Sequence, residues 1–552
     1  MTNKEIARTF RRLGDLMQLH EENPFKIRSY HTAYVNLRKL PTPLAEMTEE
    51  EISELKGVGK AISGKIRELL ETGQMEALKK YEEKTPPGIR EMLEVPGLGP
   101  KKIRAIWKDL GVETVGELVY ACNENRLIEL SGFGQKTQED IKQKLSHYQK
   151  SKGKFLYRDL EDPAQHLLGF LEKTLPAARV SLAGAIRRRC PVLDCIEVVI
   201  GSDAPIDAIF AETELAKTGE DNGRILAEYT DEIPVVIYTS PEGAFGSKLF
   251  RYSAGETFMT AFLKTREGVD FRNLPEENEV FEMAGLPFIE PELREETWSL
   301  TLATDGKLPV LIEENDIKGV IHAHSTYSDG VQTLAEMAGA CRDLGYEYLG
   351  ISDHSKAAFY ANGLKVDRLM TQWNEVDTLN EKLAPFRIFK GIESDILYNG
   401  SLDYDESILA QFDFVIASVH STLRMDEEKA TSRLIKAIEN PYTTILGHPT
   451  GRLLLSRAGY PINHRKVIQA AAANGVAIEL NANPYRLDID WTWIPYALEQ
   501  GVFLSINPDA HSSAGIKDIK YGVLSARKGG LSAEWNISSF SREEFHSFLR
   551  KS

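Results

Sequence analysis

Cysteine is scarce in this chain. There are four in 552 residues, Cys122, Cys190, Cys195 and Cys341, and no two stand as a Cys-x-x-Cys pair. A zinc ribbon, a thioredoxin-type motif and a disulfide scaffold are excluded, and a reducing cytosol is the expected compartment. Long apolar runs are missing too; none approaches the roughly 20 residues needed to cross a bilayer. The opening MTNKEIARTFRRLGDLMQLH is an amphipathic helix pattern with acids in it, without the apolar core of a signal peptide. Positive net charge is also lacking. The formal balance of −16 speaks against a nucleic-acid partner until its distribution is read. Residues 1–150 hold 25 Lys+Arg against 23 Asp+Glu, and the rest hold 41 against 59. A neutral front and an acidic rear suggest different tasks, and an acidic rear suits a site that gathers cations.

What is present is enough chain for about three to five domains. Residues 1–150 read as helices, with apolar residues spaced three and four apart at Ile6, Phe10, Leu13, Met17 and at Ile62, Ile66, Leu69, Leu70. The Lys-rich stretch 142–154 reads as a linker. Beyond it the spacing predicts a helix over Ala164–Leu175 and β-like runs at Arg179–Leu182, Ile196–Gly201 and Pro234–Tyr238. GLPFIEPELREE, at 285–296, reads as a loop entering a helix. From Lys318 strands and helices alternate. Seven short apolar runs appear: Gly319–Ile321, Tyr348–Ile351, Arg387–Gly391, Phe414–Ala417, Thr443–Leu446, Val476–Leu480 and Val502–Ile506. The alternation predicts a parallel sheet, most simply closed into a barrel of about seven units.

Three glycine turns separate helices in the front: Leu55-Lys-Gly-Val-Gly-Lys60, Val95-Pro-Gly-Leu-Gly-Pro100 and Leu130-Ser-Gly-Phe-Gly-Gln135. Two glycines one apart allow a tight turn, so that backbone N–H groups and the next helix N-terminus face outward where a phosphate can dock. The DNA-contact candidates are Gly57, Gly59, Lys60, Lys65, Gly97, Gly99, Lys101, Gly132, Gly134 and Lys136. One such turn would be an ordinary helix connection. Three copies with trailing lysines favour a helix-hairpin-helix grip on DNA backbone, without base readout.

The rear places ligand-type side chains where its predicted strands end. His322 and His324 are two apart and share a face, with Asp329 in the following turn. His354, Glu393, His420 and His448 follow the next four runs, and Asp509 and His511 follow the seventh; the sixth offers only Asn481 and Asn483. Six of the chain's twelve histidines fall in this set. In a β/α barrel that end is where active sites are built. So many acids and imidazoles together require cations to neutralise them, and nine are too many for one tetrahedral zinc. They suit two or three ions sharing a carboxylate, and the mixed donors suit Mn, Zn or Fe. Clustered cations lower the pKa of bound water and clamp phosphate oxygens, so phosphoester hydrolysis is expected. Lys356, Arg424 and Arg452 follow ligand-bearing strands and could hold the phosphate.

The motifs HAHSTYSDG, ISDHS, GIESDIL, SVHSTL, GHPTGRLL and NPDAHSS resemble, in order, the polymerase-and-histidinol-phosphatase (PHP) domain, with all nine ligand positions filled. Residues 1–316 resemble the helical, palm and thumb parts of a bacterial-type family X DNA polymerase, through the hairpins, AGAIRRR at 183–189 and GLPFIEPELREE. The resemblance implies a multidomain chain with an all-α helix-hairpin-helix front, an α+β nucleotidyltransferase-like middle and a distorted (β/α)7 barrel. Its expected parts are a helical domain at 1–82, a second at 83–154, a palm at 155–240, a thumb at 241–316 and the PHP domain at 317–552. It implies a cytoplasmic, monomeric DNA-repair enzyme acting on gapped, nicked or 3′-end substrates, with no membrane. The PHP domain would be a 3′-5′ exonuclease, with abasic-site endonuclease or 3′-phosphatase action as variants, and Mn its usual ion. His322, His324, Glu393, His448 and Asp509 would be catalytic, with Glu393 the bridging ligand. Lys65 matches the family's Schiff-base lysine, which also serves simply as a phosphate contact.

The palm departs from the pattern. Three carboxylates should surround two Mg ions. Aligned from Gly184, with Arg187 retained, the first pair falls on Cys195 and Glu197, and the third position on Val236. Asp194 is one residue out of register, which turns it to the opposite face of a strand. The expectation is a palm that holds DNA while the barrel carries the chemistry, with Mg needed only if the palm is active. The alternatives are a working gap-filling polymerase, and a DNA-binding scaffold or small-ester phosphatase.

Overall fold

The computed structural model describes residues 1–550 except 41, 96, 129, 151, 152, 212 and 213. The chain forms two compact units, Met1–Tyr148 and Gln149–Ser552.

The first unit is helical among its described residues. Thr2, Thr48 and Thr114 each accept a hydrogen bond from the N–H three residues on, and the glutamate there bonds back, fixing three helix starts. The apolar faces read from the sequence meet in one core: Ile6, Phe10, Leu13 and Met17 with Ile62, Ile66 and Leu69; Leu70 packs at its edge. The stretch expected as a linker, 142–154, holds the boundary between the two units, but much of it is helical. The helix Gln135–Lys150 runs through most of 142–154, and residues 151 and 152 lie outside the described residues.

The second unit begins with β1 (Phe155–Leu156) and the helix Tyr157–Thr174, seven residues longer at its start than expected. Pro163 lies inside this helix. There follow β2 (Arg179–Ala183), β3 (Val192–Leu193), β4 (Ile196–Gly201), β5 (Leu215–Asp221), β6 (Arg224–Tyr229) and β7 (Ile233–Ser240). Five of these form a sheet in the order β2-β4-β7-β6-β5, and β4 and β7 run parallel. GLPFIEPELREE is extended chain and a short 3-10 turn, Pro291–Leu293, leading to the helix Trp298–Thr304.

The rear holds seven parallel strands in sequence order: β8 (Gly319–Val320), β9 (Tyr348–Ile351), β10 (Arg387–Asp395), β11 (Phe414–Ser418), β12 (Ile445–Leu446), β13 (Ala477–Asn481) and β14 (Leu504–Asn507). All seven expected runs are strands. The barrel is nearly closed. A parallel bridge joins Ala323 to Ala510, and the His324 N–H donates to the Ala510 carbonyl at 2.8 Å. Rings fill its lower end. Tyr348 stacks on Phe545 of the helix Arg542–Leu549 at 4.9 Å, beside Phe389 and Phe414. Gly391 makes room for Phe414, whose ring lies 2.1 Å from where a Cβ would stand. With the bottom plugged, only the C-terminal ends of the strands remain open for a site.

Candidate metal centre

Closure at Ala323 and Ala510 brings the two flanking pairs of ligand-type residues together. His322 and His324 sit on either side of Ala323, and Asp509 and His511 on either side of Ala510. The Nε2 atoms of His322 and His324 stand 3.4 and 3.1 Å from Asp509 Oδ1. Glu393 is the centre of the set. Its Oε1 lies 3.4, 3.1 and 3.0 Å from nitrogens of His322, His420 and His448, and its Oε2 lies 2.9 Å from His354 Nδ1. Asp329 completes the other end, 3.5 Å from His354 and 3.5 Å from His511. The structure therefore brings together all nine residues singled out in the sequence. Three overlapping groups have metal-ligand spacing: His324, Asp329, His354 and His511; His322, His324 and Asp509; and His354, Glu393 and His420.

The donors fit divalent cations. His322 Nε2, His324 Nδ1, Asp329 Oδ1 and Glu393 Oε2 are buried and have no hydrogen-bond partner. Buried polar atoms are rarely left so, and here they face one another. The mixed imidazole and carboxylate set suits a transition ion. The charges are strongly coupled. Burial penalises the charged form of His322, but Glu479, Asp509 and Glu393 outweigh it and raise its pKa well above the ordinary imidazole value. Burial is likewise outweighed at His420, which Glu393 and Asp395 push up to about 10. His324 goes the other way, down to about 3, through burial and its neighbours His511 and His354. Against burial, the surrounding imidazoles keep Glu393 and Asp509 well below the usual carboxylate range.

Several supporting residues escaped the sequence reading. Glu479 of β13 is fully buried; its Oε1 lies 2.6 Å from His322 Nδ1, and its Oε2 accepts the His448 N–H at 2.8 Å. Asp395 bonds His420 Nδ1 in the same manner. Each leaves the ring's Nε2 to face the cluster. Asp353 accepts from Ser325 N–H, both Ser325 and Ser328 hydroxyls and Gln372, fixing the turn that carries Asp329; burial raises its pKa. Arg486 lies 3.9 Å from Asp509 Oδ2. The signal for Glu479 was available: an acid inside an apolar strand.

Of the three phosphate candidates, Lys356 and Arg424 are exposed. Arg452 is not so placed. Its guanidinium bonds Asp490 and the carbonyls of Arg486 and Leu487, so it braces a loop.

The three hairpins are alike. Gly57, Gly97 and Gly132 have φ of +80°, +80° and +85°, a region glycine enters without strain. Val58, Leu98 and Phe133 are the buried anchors. A Cβ at Gly59, Gly99 or Gly134 would meet nothing within 4 Å. No internal crowding requires those glycines, and the helix starts they precede lie open. Lys60, Lys101 and Lys136 are exposed beside them, and Lys65 lies half-buried one turn on.

In the middle sheet, Glu197 of β4 and Val236 of β7 are direct cross-strand partners. Glu197 accepts from the Ala185 N–H at 3.0 Å and the Tyr238 hydroxyl at 2.8 Å, and it packs so tightly on Gly184 that no Cβ fits there. Cys195 is half-buried, and Asp194 pairs outward with Lys154 at 2.8 Å. Arg187 forks onto Glu277 at 2.8 and 2.6 Å, with Arg294 fully buried on the same carboxylate. Among the described residues no group with metal-ligand spacing lies in this sheet.

Residues 1–75 match the helix-hairpin-helix domain family, residues 89–146 the SAM-like helix-hairpin-helix tandem family, and residues 321–483 the PHP domain family. A DNA polymerase/3′-5′ exonuclease PolX of Bacillus subtilis (strain 168) is 34% identical over 572 aligned residues, covering 100% of both chains. A probable phosphatase of Thermoanaerobacter sp. (strain X514) is 30% identical over 227 residues, 39% of this chain and 86% of that protein. A probable phosphatase of Acetivibrio thermocellus is 31% identical over 201 residues, 35% of this chain and 78% of that protein.

Proposed function

We infer that this chain, which belongs to the PolX family of family X DNA polymerases with a C-terminal PHP domain, is a metal-dependent phosphoesterase that shortens DNA from 3′ ends. What carries this reading is the ring of nine ligand-type side chains centred on Glu393 at the open end of the barrel, seven of them buried and Asp329 and His420 half-buried. His322, His324 and Asp509 would hold one ion; Asp329, His354 and His511 a second; and His420 and His448 a third, with Glu393 shared. Such ions, when bound, acidify a water and draw charge from phosphate oxygens. The chain's residues prepare the rest. Glu479 and Asp395 keep the Nδ1 protons of His322 and His420, so that Nε2 is free to ligate. Glu393 and Asp509 remain ionised. Lys356 and Arg424 lie at the rim to take the DNA phosphate. Mn or Zn, with Fe as a further candidate, suits the donors best.

Within the two units we assign a helical domain at 1–82, a second at 83–154, the palm at 155–240, the thumb at 241–316 and the PHP domain at 317–552. The three hairpins hold DNA backbone. The palm serves as a platform rather than a polymerase: Val236 stands beside Glu197 where an acid is needed, and Arg187 is tied to Glu277. No helix is long and apolar enough to cross a membrane among the described residues. We place the protein in the cytoplasm as a monomer acting on gapped or nicked DNA. A second reading, hydrolysis of small phosphate esters, is favoured by the phosphatase relatives, which lack a counterpart to most of this chain.

Labelled gapped DNA with Mn, with and without dNTPs, tests the assignment. Shortening without extension is expected, and H322A and H324A should abolish shortening while DNA binding persists. Robust extension overturns the inactive palm. Unchanged shortening in the variants overturns the metal centre.

A further inference from the structure

Strand β7 ends at Ser240, and the chain turns into two helices, Phe245–Tyr252 and Glu256–Thr265, before a loop at 266–276. The loop is pinned back on the first helix. Ser247 Oγ accepts the Leu274 N–H at 2.8 Å, and the Gly246 N–H donates to the Pro275 carbonyl at 3.1 Å. Between the strand end, the two helices and this loop lies a cavity of about 770 Å³. Met259, Leu263 and Phe271 give it apolar walls, and Leu263 is 47% exposed. Ser240 lines it as well; it is only 8% exposed, and its hydroxyl has no hydrogen-bond partner. Lys248 and Arg251 line it from one helix face, about 5–6 Å apart at their Cβ atoms as their spacing dictates. Among the described residues no carboxylate pairs with either cation; Lys248 stands 5.4 Å from the centre of the Tyr252 ring.

A crevice between helices needs no ligand when its polar atoms are paired. Here a buried hydroxyl and two cations are left without partners beside uncovered apolar side chains. The volume and the mixture, apolar walls with a few polar groups, are those of a small-molecule site. It lies apart from the palm's expected carboxylate position, since Gly184, Arg187, Glu197 and Val236 do not line it, and no ligand of the metal centre does. Three demands define the occupant. The walls take a body that sheds water, the Ser240 hydroxyl takes a polar edge, and the paired cations take one phosphate. Inorganic phosphate leaves the walls empty, and a plain hydrocarbon leaves the cations and hydroxyl unmet. A nucleoside monophosphate meets all three. We propose that this cavity binds a nucleoside monophosphate without metal, its base against Met259, Leu263 and Phe271, a base edge on Ser240, and its phosphate on Lys248 and Arg251. The inference stands apart from the 3′-end reading above.

The test uses the full chain in chelator, with 2-aminopurine deoxyriboside 5′-monophosphate as a fluorescent probe. Saturable binding is expected. R251A and K248A should each weaken it by about tenfold or more, R251K should recover most of the loss, and S240A should cost about threefold to tenfold. The same nucleoside without its phosphate should bind about tenfold more weakly. H322A and E197Q should bind as the native chain does. Absence of saturable binding overturns the proposal, as does native affinity in R251A and K248A. Displacement of the probe by inorganic phosphate as readily as by dAMP also overturns it, because the walls would then contribute nothing. Loss of binding in H322A or E197Q would move the nucleotide to the barrel or to the palm carboxylate and defeat the assignment. With no metal present, none of these results bears on the 3′-end reading, which the gapped-DNA assay decides separately.

Discussion

At the residue scale the centre depends on groups that touch no substrate. Glu479 reaches His322 across 157 residues of sequence and also holds the backbone of His448, so one carboxylate sets two ligands. Its replacement by Gln keeps the shape but removes the charge that fixes the His322 proton at Nδ1. We expect E479Q to weaken metal binding by about 10- to 100-fold. Titration calorimetry with Mn on chelator-treated protein measures this, and native affinity in E479Q would contradict it. The nine ligand candidates were legible in sequence because each follows an apolar run, at its end or in the turn beyond it. Glu479 was passed over although it stands inside an apolar run, and Asp395 because an acid two residues from a ligand candidate reads as surface until the strand is seen to be buried.

At the element scale the hairpins combine one glycine the turn requires with one it does not. Gly59, Gly99 and Gly134 stand at helix starts in open space. A methyl there should cost less than about 1 kcal/mol of stability. It should, however, intrude where a phosphate would approach the helix N-terminus. The triple Gly→Ala variant is expected to lose about tenfold or more in DNA affinity at fixed salt, with little change in its urea midpoint. Anisotropy with labelled duplex, alongside denaturation, separates the two, and undiminished affinity would remove the hairpins from the interface. Repeats of this kind are readable because their geometry is local. The linker at 142–154 does carry the boundary between the units, but its helical part went unread because a polar, Lys-rich stretch lacks an apolar stripe.

At the scale of the whole molecule the second unit is tied together by buried charge. Lys528 of the barrel segment donates to Glu295 at 3.0 Å and to the Arg188 carbonyl at 2.7 Å, and Arg188 donates to the same carboxylate at 2.9 Å. Burial would raise the Glu295 pKa, but Lys528 and Arg188 outweigh it and hold it down to about 2. Its folded value lies below the unfolded one, so its contribution is present above about pH 4.5 and is lost as pH falls toward 2. A shift of this size corresponds to at most about 3 kcal/mol. E295Q should lower the urea midpoint of the second unit at pH 7 and lose less than the native chain between pH 7 and pH 3. A parallel acid response in both would exclude the linkage. Removal of bound ions acts on the same unit. Chelation should lower its unfolding temperature by several degrees and Mn should restore it, as binding to the folded form requires. A transition indifferent to chelator would count against a resident metal.

The amino-acid sequence by itself determined the helical front with its three turns, the seven strands and their order, and the nine ligand candidates, since each is marked by periodicity or by residues adjacent in the chain. Tertiary structure alone decided which of those marks work together. Barrel closure at Ala323 and Ala510 set the ligand distances, and pairing of β4 with β7 put Val236 beside Glu197. Folding also tied Arg187 to Glu277, and Arg452 to Asp490, turning one expected phosphate contact into a brace. Those partnerships join segments far apart in the chain, and no local pattern encodes a distance that exists only once the chain has closed on itself.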